Sequence, residues 1–499
     1  HVCKNPNTHT HTHARLLKLA TPVICTPITH LFNLSLQTSQ IPADWKQAQV
    51  TPIHKGGDRD DVSNYRPISV IPSIMKILEK AVNVQLRDYL SDNNLLTPHQ
   101  SGFRKGYSTN TVLAFLSNYL LTNMDKGRIT GIVFLDIRKA FDSVNHRLLL
   151  DKLKLYGITG QALSWFESYL VHRAQCTSLL GKKSDVLKLK SGVPQGSILG
   201  PLLFTLFMND LPSVIEHGKV IMYADDTALM YSSSNPREIE TCLNHDLDCV
   251  RKWLERNQLT LNTDKTCFMI FGTPQKLLNL QYTPIAIKVS NVPIKQVQSV
   301  KYLGVCLDQH MTWQDHVKYT SNKIASRLAL LRRVRKYLTI DSAKLLANSL
   351  ILPYYDYCSV SWSTCNKRTK DILIKQHKQM ARIVLKINTL IPTSEMFSTL
   401  RWIDMEKRWE FNKSKLMYDV MNNSAPSYLY DMFTLSAHTH RYSTRNADNL
   451  GVIIPRIKTE CGKRAFSVDG ALQWNSLPHS VRNAPTKNNF CSLYFKQRS

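Results

Sequence analysis

Eleven cysteines are spread through 499 residues without one C-x2-C pair; Cys242 and Cys249, like Cys358 and Cys365, are too far apart for it. That spacing excludes a zinc knuckle and gives no disulfide framework. No continuous run approaches the roughly 18 apolar residues of a membrane-spanning helix, and no signal-peptide pattern opens the chain, so an intracellular protein is expected. Acidic residues are in the minority, 37 Asp and Glu against 64 Lys and Arg, for a formal charge of +27 and a pI near 9.6. Such a balance points to a polyanionic partner. The excess is concentrated, with 15 Lys and Arg against 4 Asp and Glu over residues 311 to 390. The first residue is His rather than Met, so the chain is expected to begin inside a longer reading frame. "THTHTH" at 8 to 13 reads as low-complexity sequence rather than a metal site.

The chain is long enough for two to four domains with ample cores. After a loosely helical stretch at 14 to 40, "VTPIHKGGDRDDVSNYRPISVI" reads as strand, charged Gly-Gly loop and strand. Ser73 is placed to cap the helix that follows. In "GIVFLDIRKAFDSVNHRLLLDKLKLYG", an apolar strand 131–135 ends at Asp136 and a helix runs from about Val144 to Tyr156, stopped by Gly157. "SGVPQGSILGPLLFTLFMNDL" is a Gly/Pro-punctuated loop running into a buried helix at about 201–210. Next come a hairpin in "KVIMYADDTALMY", a helix at 236–257, strand-turn-strand in "LTLNTDKTCFMIFG" and a strand pair around "VKYLGVCLD". From 317, Ile324, Leu328, Leu331, Val334 and Leu338 recur at helical spacing, with Arg327, Arg332, Arg335 and Lys336 on other faces. Strands interleaved with helices give an α/β (α+β) sheet domain.

The hairpin sets Asp225 and Asp226 side by side in an apolar run, which is costly unless something positive binds there. If the strand ending at Asp136 is its neighbour, three carboxylates meet at one sheet edge. Mg²⁺ takes a few carboxylates and completes its octahedron with water and phosphates. Two such ions about 3.5–4 Å apart serve in-line phosphoryl displacement. Asp142, six residues after Asp136, is assigned to capping the helix after it. Phe141 is either a core aromatic or a ring that crowds a ribose 2′-hydroxyl.

These motifs together resemble the reverse transcriptases of non-LTR (LINE-type) retrotransposons, the jockey-like group above all. "FLDIRKAFDSVNH", "SGVPQGSILGPLLF", "YADD", "LNTDKT" and "KYLGV" resemble the palm and primer-grip motifs, and "NYRPISV" and "QSGFRKGYST" two fingers motifs. All seven stand in family order across 64–305. The resemblance implies a right-hand polymerase: a leader at 1–40, fingers at 41–130, palm at 131–310, a basic helical thumb at 311–390 and a mixed C-terminal region at 391–499. It makes Asp136, Asp225 and Asp226 the ligands of two Mg²⁺ ions, with Mn²⁺ as an alternative, and Phe141 the 2′-hydroxyl gate. Arg66 and Arg104, and more weakly Lys55, would hold the dNTP triphosphate, although each has the alternative of a surface cation. Gln195 would lie near the templating pair, unless it is simple turn chemistry. Lys265 would protonate or neutralise pyrophosphate, and Tyr302, Leu303, Gly304 and Val305 would position the primer terminus. Arg327, Arg332, Arg335 and Lys336 would follow the nucleic-acid backbone.

The implied activity is RNA-directed DNA synthesis from a DNA 3′-hydroxyl by target-primed reverse transcription. RNA template, DNA primer or target, and dNTPs are the expected partners, and no membrane is expected. Target-primed synthesis implies the nucleus, with particle assembly in the cytoplasm. No endonuclease signature flanks the motifs, and no RNase H triad is evident in the tail. A maturase-like RNA-binding protein and an inactive relic are the alternatives.

Overall fold

Residues Gln47–His54 (β1) and Tyr65–Val70 (β2) pair antiparallel around the charged Gly-Gly loop, with Ile53 opposite Arg66 and His54 opposite Tyr65. The computed structural model describes residues 14–280, 284–387, 391–436 and 450–496; the Thr-His tract at 8–13 and "RYSTRNADN" at 441–449 lie outside them. β1 also runs parallel to Ala174–Leu179 (β4), which pairs with the short β5 (Lys182–Lys183) and β6 (Leu187–Lys188).

The second sheet is built around Ile129–Leu135 (β3), every residue of which is buried. Both faces are covered, so the strand needs no polar alternation. Ile129, Val133 and Leu135 pack into one core with the helices Gly200–Met208 and Pro236–Arg256. Ile132 and Phe134 face a second core, shared with the helix Thr109–Asp125 and the helices after residue 313. The strand order is β12-β9-β3-β8-β7, where β7 is Lys219–Tyr223, β8 Asp226–Ser233, β9 Cys267–Phe271 and β12 Lys295–Gln296. β3 therefore lies between β8 and β9, antiparallel to both. Two small hairpins complete the sheets, β10 (Lys288–Val289) with β11 (Val292–Pro293), and β13 (Ser299–Tyr302) with β14 (Val305–Asp308).

Several local expectations are corrected. Ser73 does not cap its helix: Pro72 holds the cap position of Ser73–Asp92 and Ser73 is already helical. Asp142 is not a helix cap either, because His146–Leu155 starts four residues later and Asn145 accepts from the Leu148 amide. "LTLNTDKTCFMIFG" yields only one strand; Leu261 makes a single bridge to Ile137, and the chain turns before β9. Near the N-terminus, the helix Ala14–Thr38 contains a stretch, Leu16–Thr38, long and apolar enough by length and composition to cross a membrane. Its Thr, Ser and His residues break up any continuous apolar run without lowering the mean hydropathy enough to disqualify it. Its C-terminal end is tied to the rest of the protein, where Trp165 Nε1 donates to Ser35 Oγ at 3.2 Å.

Beyond the sheets the chain is helical. Gln314–Val334 buries Val317, Ile324, Leu328 and Leu331, and packs on Lys367–Leu385 and Ile340–Leu350. The Asp308 carboxylate accepts from the Thr312 and Trp313 amides, fixing the turn into the first of these helices. The C-terminal helices Met405–Met421, Phe466–Asn475 and Lys487–Lys496 form a third core around Met417, Trp474 and Phe490. They are joined to the helix Thr109–Asp125: Asp125 accepts from the Lys458 and Thr459 amides, and Asn118 from the Ser467 amide. A division at 130 thus passes through shared cores, since the helices on either side of it bury their apolar faces together.

Candidate active site

The register of β3 on β8 places Leu135 opposite Thr227, so the next positions outward, 136 and 226, face each other at the sheet's end. Asp225 belongs to the two-residue turn Ala224-Asp225, closed by the Tyr223–Asp226 pair. All three carboxylates therefore arrive at one edge. Partial burial and mutual repulsion raise the Asp225 and Asp226 pKa values, Asp226 to about 6, with Asp136 contributing to both. Among the described residues none of the three is in an ion pair. A like-charged trio with no cation in ion-pair contact fits a divalent metal by its donor chemistry.

Asp136 is held by the segment after the helix Pro236–Arg256. Asn262 Nδ2 donates to Asp136 Oδ2 at 2.8 Å, and Thr266 Oγ1 accepts from the Asp136 amide at 3.2 Å. Neither residue stood out in the sequence, although both lie in "LNTDKT".

The hairpin turn has its own clamp. Ala224 has φ 57°, a conformation unfavourable for a residue with a Cβ. Gln100, fully buried, holds the residue's backbone on both sides of its Cα: its Oε1 accepts from the Ala224 amide at 2.9 Å and its Nε2 donates to the Ala224 carbonyl at 3.1 Å. The same Oε1 accepts from the Gly102 amide. A Cβ on Gly102 would stand 2.3 Å from the Ala224 nitrogen, so only glycine allows this approach. Gln100 lies in "QSGFRKGYST", and its role rests on long-range contacts that a single sequence does not display.

The other candidates are distributed as follows. Arg66, exposed on β2, lowers the pKa of both hairpin aspartates, and Lys55 that of Asp225, so both cations bear on the acidic edge. Lys265, also exposed, acts electrostatically on Asp61 in the loop between β1 and β2. Arg104 is turned elsewhere: its Nη1 donates to the Thr97 and Gln100 carbonyls and its guanidinium lies 4.2 Å from the Tyr107 ring centre. It braces the loop that clamps Ala224. Gln195 Nε2 donates to Asp142 Oδ1 at 3.0 Å, and Gly196 brings the turn against β2, where a Cβ would stand 2.5 Å from the Ser69 carbonyl oxygen. Burial raises the Asp142 pKa. Phe141 is half-buried, stacked on Phe204 at 4.2 Å and edge-on to Phe103 at 6.2 Å.

Tyr302 to Val305 form the turn of β13 and β14. Tyr302 is buried against Phe134, with ring centres 5.1 Å apart, Val305 is buried too, and the Leu303 carbonyl accepts from Tyr357 Oη. Of the four thumb cations, Arg335 is corrected: it is buried, and donates to the Val384 and Leu338 carbonyls at 2.8 and 2.6 Å. Arg332 and Lys336 are exposed, and Arg327 lies half-buried over Tyr354.

A strand-end aspartate facing a paired-aspartate hairpin on a central antiparallel sheet, with the basic β1–β2 hairpin bearing on it, is the palm arrangement of a right-hand polymerase fold. The chain belongs to the family described as reverse transcriptase (RNA-dependent DNA polymerase), whose model matches residues 53–307. It is 30% identical over 374 residues to the "Probable RNA-directed DNA polymerase from transposon BS" of Drosophila melanogaster, covering 71% of this chain and 40% of that protein. It is 29% identical over 410 residues to the "RNA-directed DNA polymerase from mobile element jockey" of the same species, covering 80% and 43%. The chain thus spans about two fifths of the length of these curated relatives. Among solved structures, a telomerase from Candida albicans in complex with a fragment of telomeric RNA aligns with TM-score 0.38 at 13% identity, over 81% of this chain and 69% of that one.

Proposed function

We propose that this chain is the polymerase portion of a non-LTR retrotransposon protein, extending a DNA 3′-hydroxyl with dNTPs on an RNA template. The observation that carries this reading is the meeting of Asp136, Asp225 and Asp226 at one sheet edge with no protein cation paired to them. Two Mg²⁺ ions held by these carboxylates would supply activation of the attacking 3′-oxygen and stabilisation of the leaving pyrophosphate. The chain's own residues do the rest. Arg66 and Lys55 draw the triphosphate over the acidic edge, and Lys265 neutralises charge developing on pyrophosphate. Gln195, held by Asp142, shapes the floor beneath the nascent pair, while the Tyr302–Val305 turn sets the primer end. The proposal extends to target-primed synthesis in the nucleus, with assembly in the cytoplasm; kinship with transposon proteins supports a role in transposition. Primer extension on poly(rA)/oligo(dT) with Mg²⁺ tests the reading. Well-folded protein that binds the template-primer but incorporates no dNTP would favour the RNA-binding, maturase-like alternative.

Phe141 supplies a selectivity test. One face is packed on Phe204, so Phe141→Val opens space without exposing a large core cavity. The variant is expected to use rNTPs more readily relative to dNTPs, and an unchanged ratio in an active variant would assign the ring to packing alone. The thumb supplies an electrostatic one. Replacing Arg327, Arg332 and Lys336 together by Gln should reduce the log-log salt slope of template-primer binding by roughly one unit per lost phosphate contact. A parental slope would remove this face from the nucleic-acid path. Arg335→Gln belongs outside that set, since it would unfasten the thumb helices instead.

A further inference from the structure

Far from the acidic edge, at the opposite end of β7, the loop before the strand meets the middle of the helix Pro236–Arg256. Glu216, His245 and Cys249 each offer a ligand atom there, all within 4.8 Å of one another. His245 and Cys249 are four residues apart and share one helical face, and Glu216 comes from the loop. His245 Nε2 lies 3.7 Å from a Glu216 carboxylate oxygen, and Nδ1 lies 3.6 Å from Asp246 Oδ1. The His217 ring centre is 4.9 Å from that of His245.

Asp246 makes this more than a chance meeting of surface side chains. It is completely buried and its carboxylate accepts from the Glu216, His217 and Gly218 amides, so the loop that carries Glu216 is fixed to the helix that carries His245 and Cys249. A carboxylate beside one ring nitrogen of a histidine whose other nitrogen faces further ligands is the arrangement that orients metal-binding imidazoles. Tetrahedral zinc, with Zn–N and Zn–O near 2.0–2.1 Å and Zn–S near 2.3 Å, places its ligand atoms about 3.3–3.8 Å apart. The group is within a side-chain rotation of that spacing. Oxygen, nitrogen and sulfur together select a borderline-soft ion over Mg²⁺.

We infer that Glu216, His245 and Cys249 form a Zn²⁺ site, separate from the polymerase centre, that pins the start of β7 to the helix behind it. The open fourth position takes water or His217. β7 leads in five residues to the Ala224-Asp225 turn, so the ion would steady the far end of the strand that presents the catalytic pair.

The test uses the full chain, stripped with chelator and titrated with Zn²⁺ and, separately, Co²⁺. One tight equivalent, distinct from any ions at the catalytic carboxylates, should raise the melting temperature, and its cobalt form should show a thiolate-to-metal charge-transfer band. Cys249→Ser should abolish that band, and His245→Ala should weaken Zn²⁺ binding at least about tenfold. The band should persist in Asp225→Asn, which separates this site from the catalytic carboxylates. Absence of the band in the parent, or its survival in Cys249→Ser, would overturn the assignment and leave His245 as a partner of nearby carboxylates only.

Discussion

Asp136→Asn and Asp225→Asn are each expected to reduce dNTP incorporation by on the order of 10³-fold or more, because each removes a charge that the reacting phosphates' counter-ions require. Template-primer binding should persist, since Lys and Arg supply most of it. Asp142→Asn should be far milder: its amide oxygen can still accept from Gln195, and Asp142 is not one of the three carboxylates at the β3/β8 edge. Neutralising Asp226, the third carboxylate, has an opposite effect on stability in chelated, metal-free protein. Burial, followed by repulsion from Asp225 and Asp136, raises the Asp226 pKa from 3.8 to about 6. A carboxyl with a raised folded-state pKa binds more protons folded than unfolded between those two values, so stability falls as pH rises through that window and stays lower above it. Asp226→Asn removes this loss. The variant should therefore melt higher than the parent at pH 7–8, with the gap closing as pH falls toward 4. Melting curves across pH with EDTA check it. A variant that is inactive and also less stable at neutral pH would mean that Asp226 is a structural acid rather than a metal ligand.

The acidic edge was legible because its signal is local and redundant. An apolar strand ending at Asp136 and a β-rich run interrupted by Asp225 and Asp226 fix their own geometry, and neighbouring strands complete it. The helix Gln314–Val334 was legible for the same reason, since Ile324, Leu328 and Leu331 repeat at helical spacing and are buried. Arg335 was not, because an arginine on a basic segment looks solvated until a second helix supplies buried carbonyls to it. Asp142 failed differently: capping is decided by where the helix starts, and the three residues from 143 to 145 leave room for a better cap, Asn145. The C-terminal region gave no reading at all. Its helices pack on one another and are anchored to a helix more than 300 residues earlier in the chain, contacts that periodicity cannot reveal.

Gln100→Leu is the substitution that tests how the catalytic turn is held. Leucine fills a similar volume but returns none of the three hydrogen bonds to the Ala224 and Gly102 backbone. Each buried backbone group left without a partner costs about 1–3 kcal/mol. The turn has an alternative that recovers much of this, because Ala224 at φ 57° can relax toward an ordinary conformation once released. Relaxation would swing Asp225 away from Asp136. The expected result is a fall in single-turnover incorporation of roughly 10²-fold, with KM for dNTP changed much less, since Arg66 stands on another sheet and Lys55 in the loop between its first two strands. Gly102→Ala should reproduce the effect by a different route, as its Cβ must push the Ala224 nitrogen aside. Gln100→Glu keeps the oxygen that accepts from both amides but presents a second acceptor to the Ala224 carbonyl, so it should fall between the parent and Gln100→Leu. If Gln100→Leu folds and retains the parental incorporation rate, the turn is fixed by its own strands and the clamp contributes packing alone.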